Sequence, residues 1–155
     1  MIKKLRVDHR LLHGQVAFSW SQSLRIDCIV IANDEVLKDQ MALMAIKMAK
    51  PVGTKLVVKG VKDFIASAKS GITEKYKMFV IVGNINDACE IAKALKIKDI
   101  NLGGTKSSDD KRKISQAIFL TTEEEQLIKK EIGAGLRFNV QMIPGDRAVD
   151  VSELL

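Results

Sequence analysis

Both histidines of the chain, His9 and His13, fall in one stretch, Asp8-His9-Arg10-Leu11-Leu12-His13-Gly14-Gln15. A neutral imidazole, with an unperturbed pKa of about 6.5, is a competent nucleophile near pH 7. Its attack on a phosphoryl group needs cationic or N–H donors around the transferring oxygens. Arg10 lies close enough in sequence to His13 to supply a planar bidentate fork. Asp8 could fix the tautomer of His13 or hold Arg10 in place. Gly14 lets a ligand approach the backbone, and a helix predicted over Gln15–Leu24 adds free N–H groups and the positive end of its dipole. The candidate catalytic residues are therefore His13, Asp8 and Arg10, and the candidate phosphate contacts are Arg6, Arg10, Gly14 and Gln15. A metal reading competes, because His9 and His13 have i, i+4 spacing and Asp8 could be a third ligand. No Cys cluster or HExxH motif supports it, and two nearby arginines would repel a cation, so the metal reading is disfavoured. A His beside a Gly, or an Arg/Asp pair at a strand end, is often only structural. It is their coincidence in one loop that points to phosphate chemistry.

Apolar runs rich in Val and Ile predict strands over Ile2–Asp8, Asp27–Ala32, Lys55–Lys59, Lys77–Gly83, Asp99–Leu102, Ala117–Leu120 and Arg137–Ile143, covered on both faces. Between them the period changes to 3.6. Val61, Phe64, Ile65 and Ala68 form one helical stripe, and Ala88, Ile91, Ala92 and Leu95 another. Leu37, Met41, Met44, Ala45 and Met48 form a third, read as core filling in preference to a pliable binding face. Thr122-x-x-Glu125 has the spacing of a capping box, and Asn33-Asp34 and Asn86-Asp87 offer capping oxygens. Gly71 and Gly133/Gly135 suit helix ends, and Pro51 closes the Met helix. Asp109–Lys113 reads as a solvated loop, and Asp146–Leu155 as a short terminal helix. Strands alternating with helices predict an α/β fold, doubly wound, with a mainly parallel sheet of about seven strands and helices on both faces, in a single domain over 1–155. In such a sheet ligands bind at the carboxyl ends of the strands, near the point where strand order reverses. The first strand is usually central, so its following loop is where chemistry is expected. Arg6 and Asp8 share one face of that strand, where charge is costly to desolvate unless paired or needed.

The whole chain fits this picture. It has 155 residues, 46% of them apolar and 28% charged, which excludes a disordered, collagenous or disulfide-scaffold protein. No apolar run reaches the roughly 18–20 residues of a bilayer helix. The start, MIKKLRVDHR, lacks the apolar stretch of a signal peptide. Cys28 and Cys89, each in an apolar segment, suggest buried thiols in a reducing compartment, and a cytoplasmic protein is expected. The net charge of +6 favours anionic partners, although a solvated lysine face explains it as well. Nucleic acid is disfavoured, since one Trp, one Tyr and five Phe provide no aromatic platform.

The segment Arg6-Val7-Asp8-His9-Arg10-Leu11-Leu12-His13-Gly14-Gln15-Val16, followed by Trp20, resembles the signature of the IIB subunits in the mannose/fructose/sorbose class of the bacterial sugar phosphotransferase system. Asn33-Asp34-Glu35-Val36 and Asn101-Leu102-Gly103-Gly104 are similar to two further motifs of that family. The resemblance covers essentially the whole chain. It implies a phosphotransferase that accepts a phosphoryl group on His13 from the phosphohistidine of a IIA partner and passes it to a sugar entering through membrane IIC and IID subunits. It implies that Arg10 binds the phosphoryl group and that Asp8 orients. It implies no metal or organic cofactor, and a cytoplasmic location at the periphery of the membrane permease. A homo-oligomer is left open. His9 stands where the family often has Asp, and the Thr105–Lys113 segment lacks the Met that often follows the Gly-Gly pair. The rival on the same fold is an anion- or nucleotide-binding regulatory module without phosphotransfer.

Overall fold

The structure is a computed structural model that describes residues 1–155. Nine strands and five helices alternate: β1 (Ile2–Asp8), α1 (Gly14–Leu24), β2 (Cys28–Ala32), α2 (Gln40–Ala49), β3 (Lys55–Lys59), α3 (Val61–Ser70), β4 (Met78–Val82), α4 (Ile85–Leu95), β5 (Asp99–Gly104), β6 (Arg112–Ser115), β7 (Ile118–Leu120), α5 (Thr122–Gly133), β8 (Arg137–Val140) and β9 (Val149–Asp150). Short 3₁₀ turns at Glu35–Lys38 and Val151–Glu153 complete the order. Seven strands form one sheet in the order β3-β2-β4-β1-β5-β8-β9. All its pairings are parallel except β8 with β9, so the expected mainly parallel, doubly wound architecture is present.

Strand β1 lies between β4 and β5, where the winding reverses direction. The apolar strands are buried because helices cover both faces. Leu5 and Val7 join Val80, Phe64, Ala88, Ile91 and Ile128 in a core of 23 buried residues beneath α3, α4 and α5. Ile29, Ile31, Phe79 and Ile81 pack with Ala17, Trp20 and Ile46 beneath α1 and α2. Alternation along β1 therefore turns Arg6 and Asp8 to the face that carries α1.

Several expected details are corrected. The strand expected at Ala117–Leu120 is real as β7, but it pairs antiparallel with β6 in a separate hairpin. The end of the Asp109–Lys113 run enters β6 instead of remaining loop. The seventh strand of the main sheet is β9, inside the segment read as a terminal helix. Its Val149 pairs with Val140, and the 3₁₀ turn that follows is capped by the Asp150 side chain on Ser152 N. Ten residues are too few to separate the two periods. The capping box sits one residue earlier than expected, at Thr121 and Glu124, because the run TTEEE permits both registers. Asn84, not Asn86 or Asp87, caps α4. Asn33 and Asp34 do cap, at different elements: Asn33 accepts from Val36 N, and Asp34 accepts from Val61 N at the start of α3.

Candidate functional site

The chain leaves β1 through a tight turn in which Leu11 N donates to Asp8 O at 2.9 Å. Leu11 has φ +59°, a left-handed conformation that side chains with a Cβ rarely adopt. Gly83, just after β4, makes room for a neighbouring side chain: a Cβ there would lie 2.9 Å from Asn33 Nδ2, while Leu11 Cδ2 at 3.5 Å is in ordinary contact. The turn is pinned from the other side by His9 N donating to Gly104 O at 3.0 Å. Loops following β1, β2, β4 and β5 thus meet at the carboxyl end of the sheet.

His13 is the N-cap of α1 and is exposed. Its backbone is extended (φ −121°, ψ 123°), and its ring makes no capping hydrogen bond. The first helical bond runs from Ala17 N to His13 O, so the N–H groups of Gly14, Gln15 and Val16 lie before the intrahelical ladder. No acidic residue occupies the first turn to neutralise the dipole end. Gly14 and Gln15 are both exposed, and nothing lies within 4 Å of a Cβ built on Gly14. An anion beside the His13 ring would meet open space and backbone donors.

Asp8 and Arg10 are brought together as a bidentate pair. Arg10 Nε donates to Asp8 Oδ1 and Arg10 Nη2 to Oδ2, each at 3.2 Å, and Arg10 N donates to Oδ1 at 3.0 Å. Asp8 is 1% exposed, whereas the Arg10 side chain reaches the surface at 36%. Of the two roles open to Asp8, holding Arg10 is the one this geometry carries out. His9 is exposed, with Nδ1 at 4.0 Å from Asp8 Oδ1.

Arg6, expected as a phosphate contact, is enclosed by the protein. Arg6 is 1% exposed, and its guanidinium is spent on protein partners: Nη1 on Asn101 Oδ1 at 2.7 Å and Gln141 O at 3.0 Å, Nη2 on Asp8 Oδ2 at 3.3 Å. Burial pushes its pKa below the ordinary arginine value, opposed by the Asp8 carboxylate. The ring of Trp20 lies 5.8 Å from the guanidinium carbon and 4.3 Å from Lys4 Nζ, and Trp20 Nε1 donates to Met142 O at 3.0 Å. Asn101, Gly103 and Gln141 were not read from the sequence as site residues. The Asn in mid-strand followed by a Gly pair was the available signal. No group of three or more His, Cys, Asp or Glu side chains is arranged to hold a metal ion, and His9, His13 and Asp8 form no such cluster.

Residues 2–155 match the family described as PTS system sorbose subfamily IIB component. The chain is 35% identical over 162 residues to a probable phosphotransferase enzyme IIB component of Streptococcus pyogenes serotype M6, covering 100% of this chain and 99% of that protein. It is 28% identical to the sorbose-specific EIIB component of Lacticaseibacillus casei, covering 97% and 93% of the two chains. In fold it is similar to the crystal structure of the IIBSor domain of the sorbose permease from Klebsiella pneumoniae, with TM-score 0.92, 24% identity, and 99% and 94% of the two chains covered.

Proposed function

The chain belongs to the sorbose-subfamily IIB components of the sugar phosphotransferase system, phosphotransferase components that pass a phosphoryl group toward a sugar during its uptake, and from that premise we propose that His13 is its phosphoryl acceptor. The observation that carries the reading is the exposed His13 ring at the uncompensated N-terminus of α1. A relay residue must be reachable by two protein partners in turn, and this position is open.

In the proposed step a His13 ring nitrogen attacks the phosphorus of a phosphohistidine on a IIA partner. The new N–P bond forms as the donor's N–P bond breaks, and the donor imidazole leaves. Arg10, held by Asp8, neutralises charge on the transferring oxygens, and the N–H groups of Gly14 and Gln15 donate to them. The reverse geometry then delivers the group to a sugar held by IIC and IID subunits. Those named partners, a position at the cytoplasmic edge of the permease, and the extent of the IIB domain as residues 1–155 belong to this proposal. No helix of the chain is long and apolar enough to cross a membrane.

The test is labelling by a phosphorylated IIA donor. His13→Ala is expected to take no acid-labile, base-stable phosphate while keeping its fold, and His9→Ala to take it. Labelling lost in His9→Ala and kept in His13→Ala would move the acceptor four residues earlier, to His9. Binding of phosphate or nucleotide with no labelling at all would favour the regulatory module.

A further inference from the structure

Strand β5 brings an uncharged side chain to the back of this site. Asn101 is buried, and it bridges three elements. Its Oδ1 accepts from Arg6 Nη1 at 2.7 Å, and its Nδ2 donates to Asn139 Oδ1 on β8 at 2.9 Å and to Gln141 O at 3.1 Å. Arg6 Nη1 donates to the same Gln141 carbonyl at 3.0 Å. Arg6 Nη2 then reaches Asp8, whose two oxygens hold the Arg10 fork. A continuous series of hydrogen bonds thus runs from Asn139 through Asn101, Arg6 and Asp8 to Arg10, its three middle members buried between a half-buried Asn139 and the surface fork of Arg10.

Room for this series is built into β5. A Cβ on Gly103 would lie 2.0 Å from Arg6 Cζ, so the guanidinium rests directly on the glycine backbone. Isolated ion pairs at a surface are loosely held and contribute little. Here the inner side of the Asp8 carboxylate is fixed by a buried cation that is itself fixed by a neutral amide. The geometry points to Arg6 and Asn101 as positioning residues for phosphoryl transfer: acting through Asp8, they set the direction in which Arg10 presents its fork. Neither touches the phosphoryl group. The inference rests on the reading of His13 and Arg10 given above.

The probe is potassium phosphoramidate, whose P–N bond breaks to release ammonia as a His13 ring nitrogen bonds to phosphorus. Labelling rates are compared for the full chain, Asn101→Ala, Arg10→Ala and the double variant, with thermal melting recorded for each. Loss of positioning is expected to slow Asn101→Ala by about tenfold, since small misplacements of a catalytic group are costly. If Asn101 acts through Arg10, the double variant labels within about twofold of Arg10→Ala alone, because coupled sites are not additive. A merely structural effect would multiply the two losses instead. Multiplied losses, or a wild-type rate in Asn101→Ala, overturn the inference. If Asn101→Ala does not fold, Asn139→Ala removes one of the two acceptors that hold the Asn101 amide and is read in the same way. Persistent labelling of His13→Ala would overturn the acceptor assignment itself, a pattern distinct from either rate result.

Discussion

At the scale of single residues, the site is one buried carboxylate shared by two arginines. Arg6 and Asp8 neutralise each other inside the protein, so Arg10 is left with its positive charge at the surface, aimed by a fixed partner. That asymmetry predicts the consequence of Asp8→Asn. The amide leaves the Arg6 guanidinium buried without its counter-charge, a change that costs about 3 kcal/mol. Urea denaturation should show a midpoint well below wild type, together with slower phosphoryl acceptance. An unchanged midpoint would mean that Asn101 and Gln141 O suffice for Arg6. Strand alternation alone put Arg6 and Asp8 on one face, and that much was legible in the sequence. The partner of Arg6 was not, because Asn101 lies 95 positions away, and a long-range pair leaves no local mark. The left-handed Leu11 was equally hidden: nothing about leucine announces a positive φ.

At the scale of elements, the strands were legible because the central ones are continuous apolar runs, as strands buried on both faces must be. β2 and β4 are buried along their whole length. Helix α2 is the instructive failure. Its Met stripe was expected to fill the core, yet Met41 is 83% exposed and Met48 84%, with Met44 exposed between them. The buried side of α2 is made instead by Ile46, with Ala42, Leu43 and Ala49 packed beside it. Periodicity identifies a face but not which of two apolar faces the sheet will cover. The double substitution Met41→Gln, Met48→Gln is therefore expected to change unfolding free energy by no more than about 0.5 kcal/mol. Ile46→Ala, on the same helix, should cost about 3 kcal/mol. Denaturation curves compare the two directly, and equal losses would mean that the Met face is covered after all.

At the scale of the whole molecule, the reversal of winding at β1 gathers loops from four strands at one end of the sheet, and the exposed end of α1 opens there to solvent. The proposed role needs that arrangement: an exposed imidazole open to approach at the end of a strand whose Arg6–Asp8 pair is buried and fixed. The chain carries only two imidazoles, His9 and His13, so histidine-ring NMR can assign the acceptor without ambiguity. The measurement that bears most directly on the central claim is the ¹⁵N spectrum of those two rings after phosphorylation. The account predicts ¹⁵N–³¹P coupling in the His13 ring, with His9 shifted but uncoupled. Coupling in the His9 ring, or phosphate on neither, would contradict it.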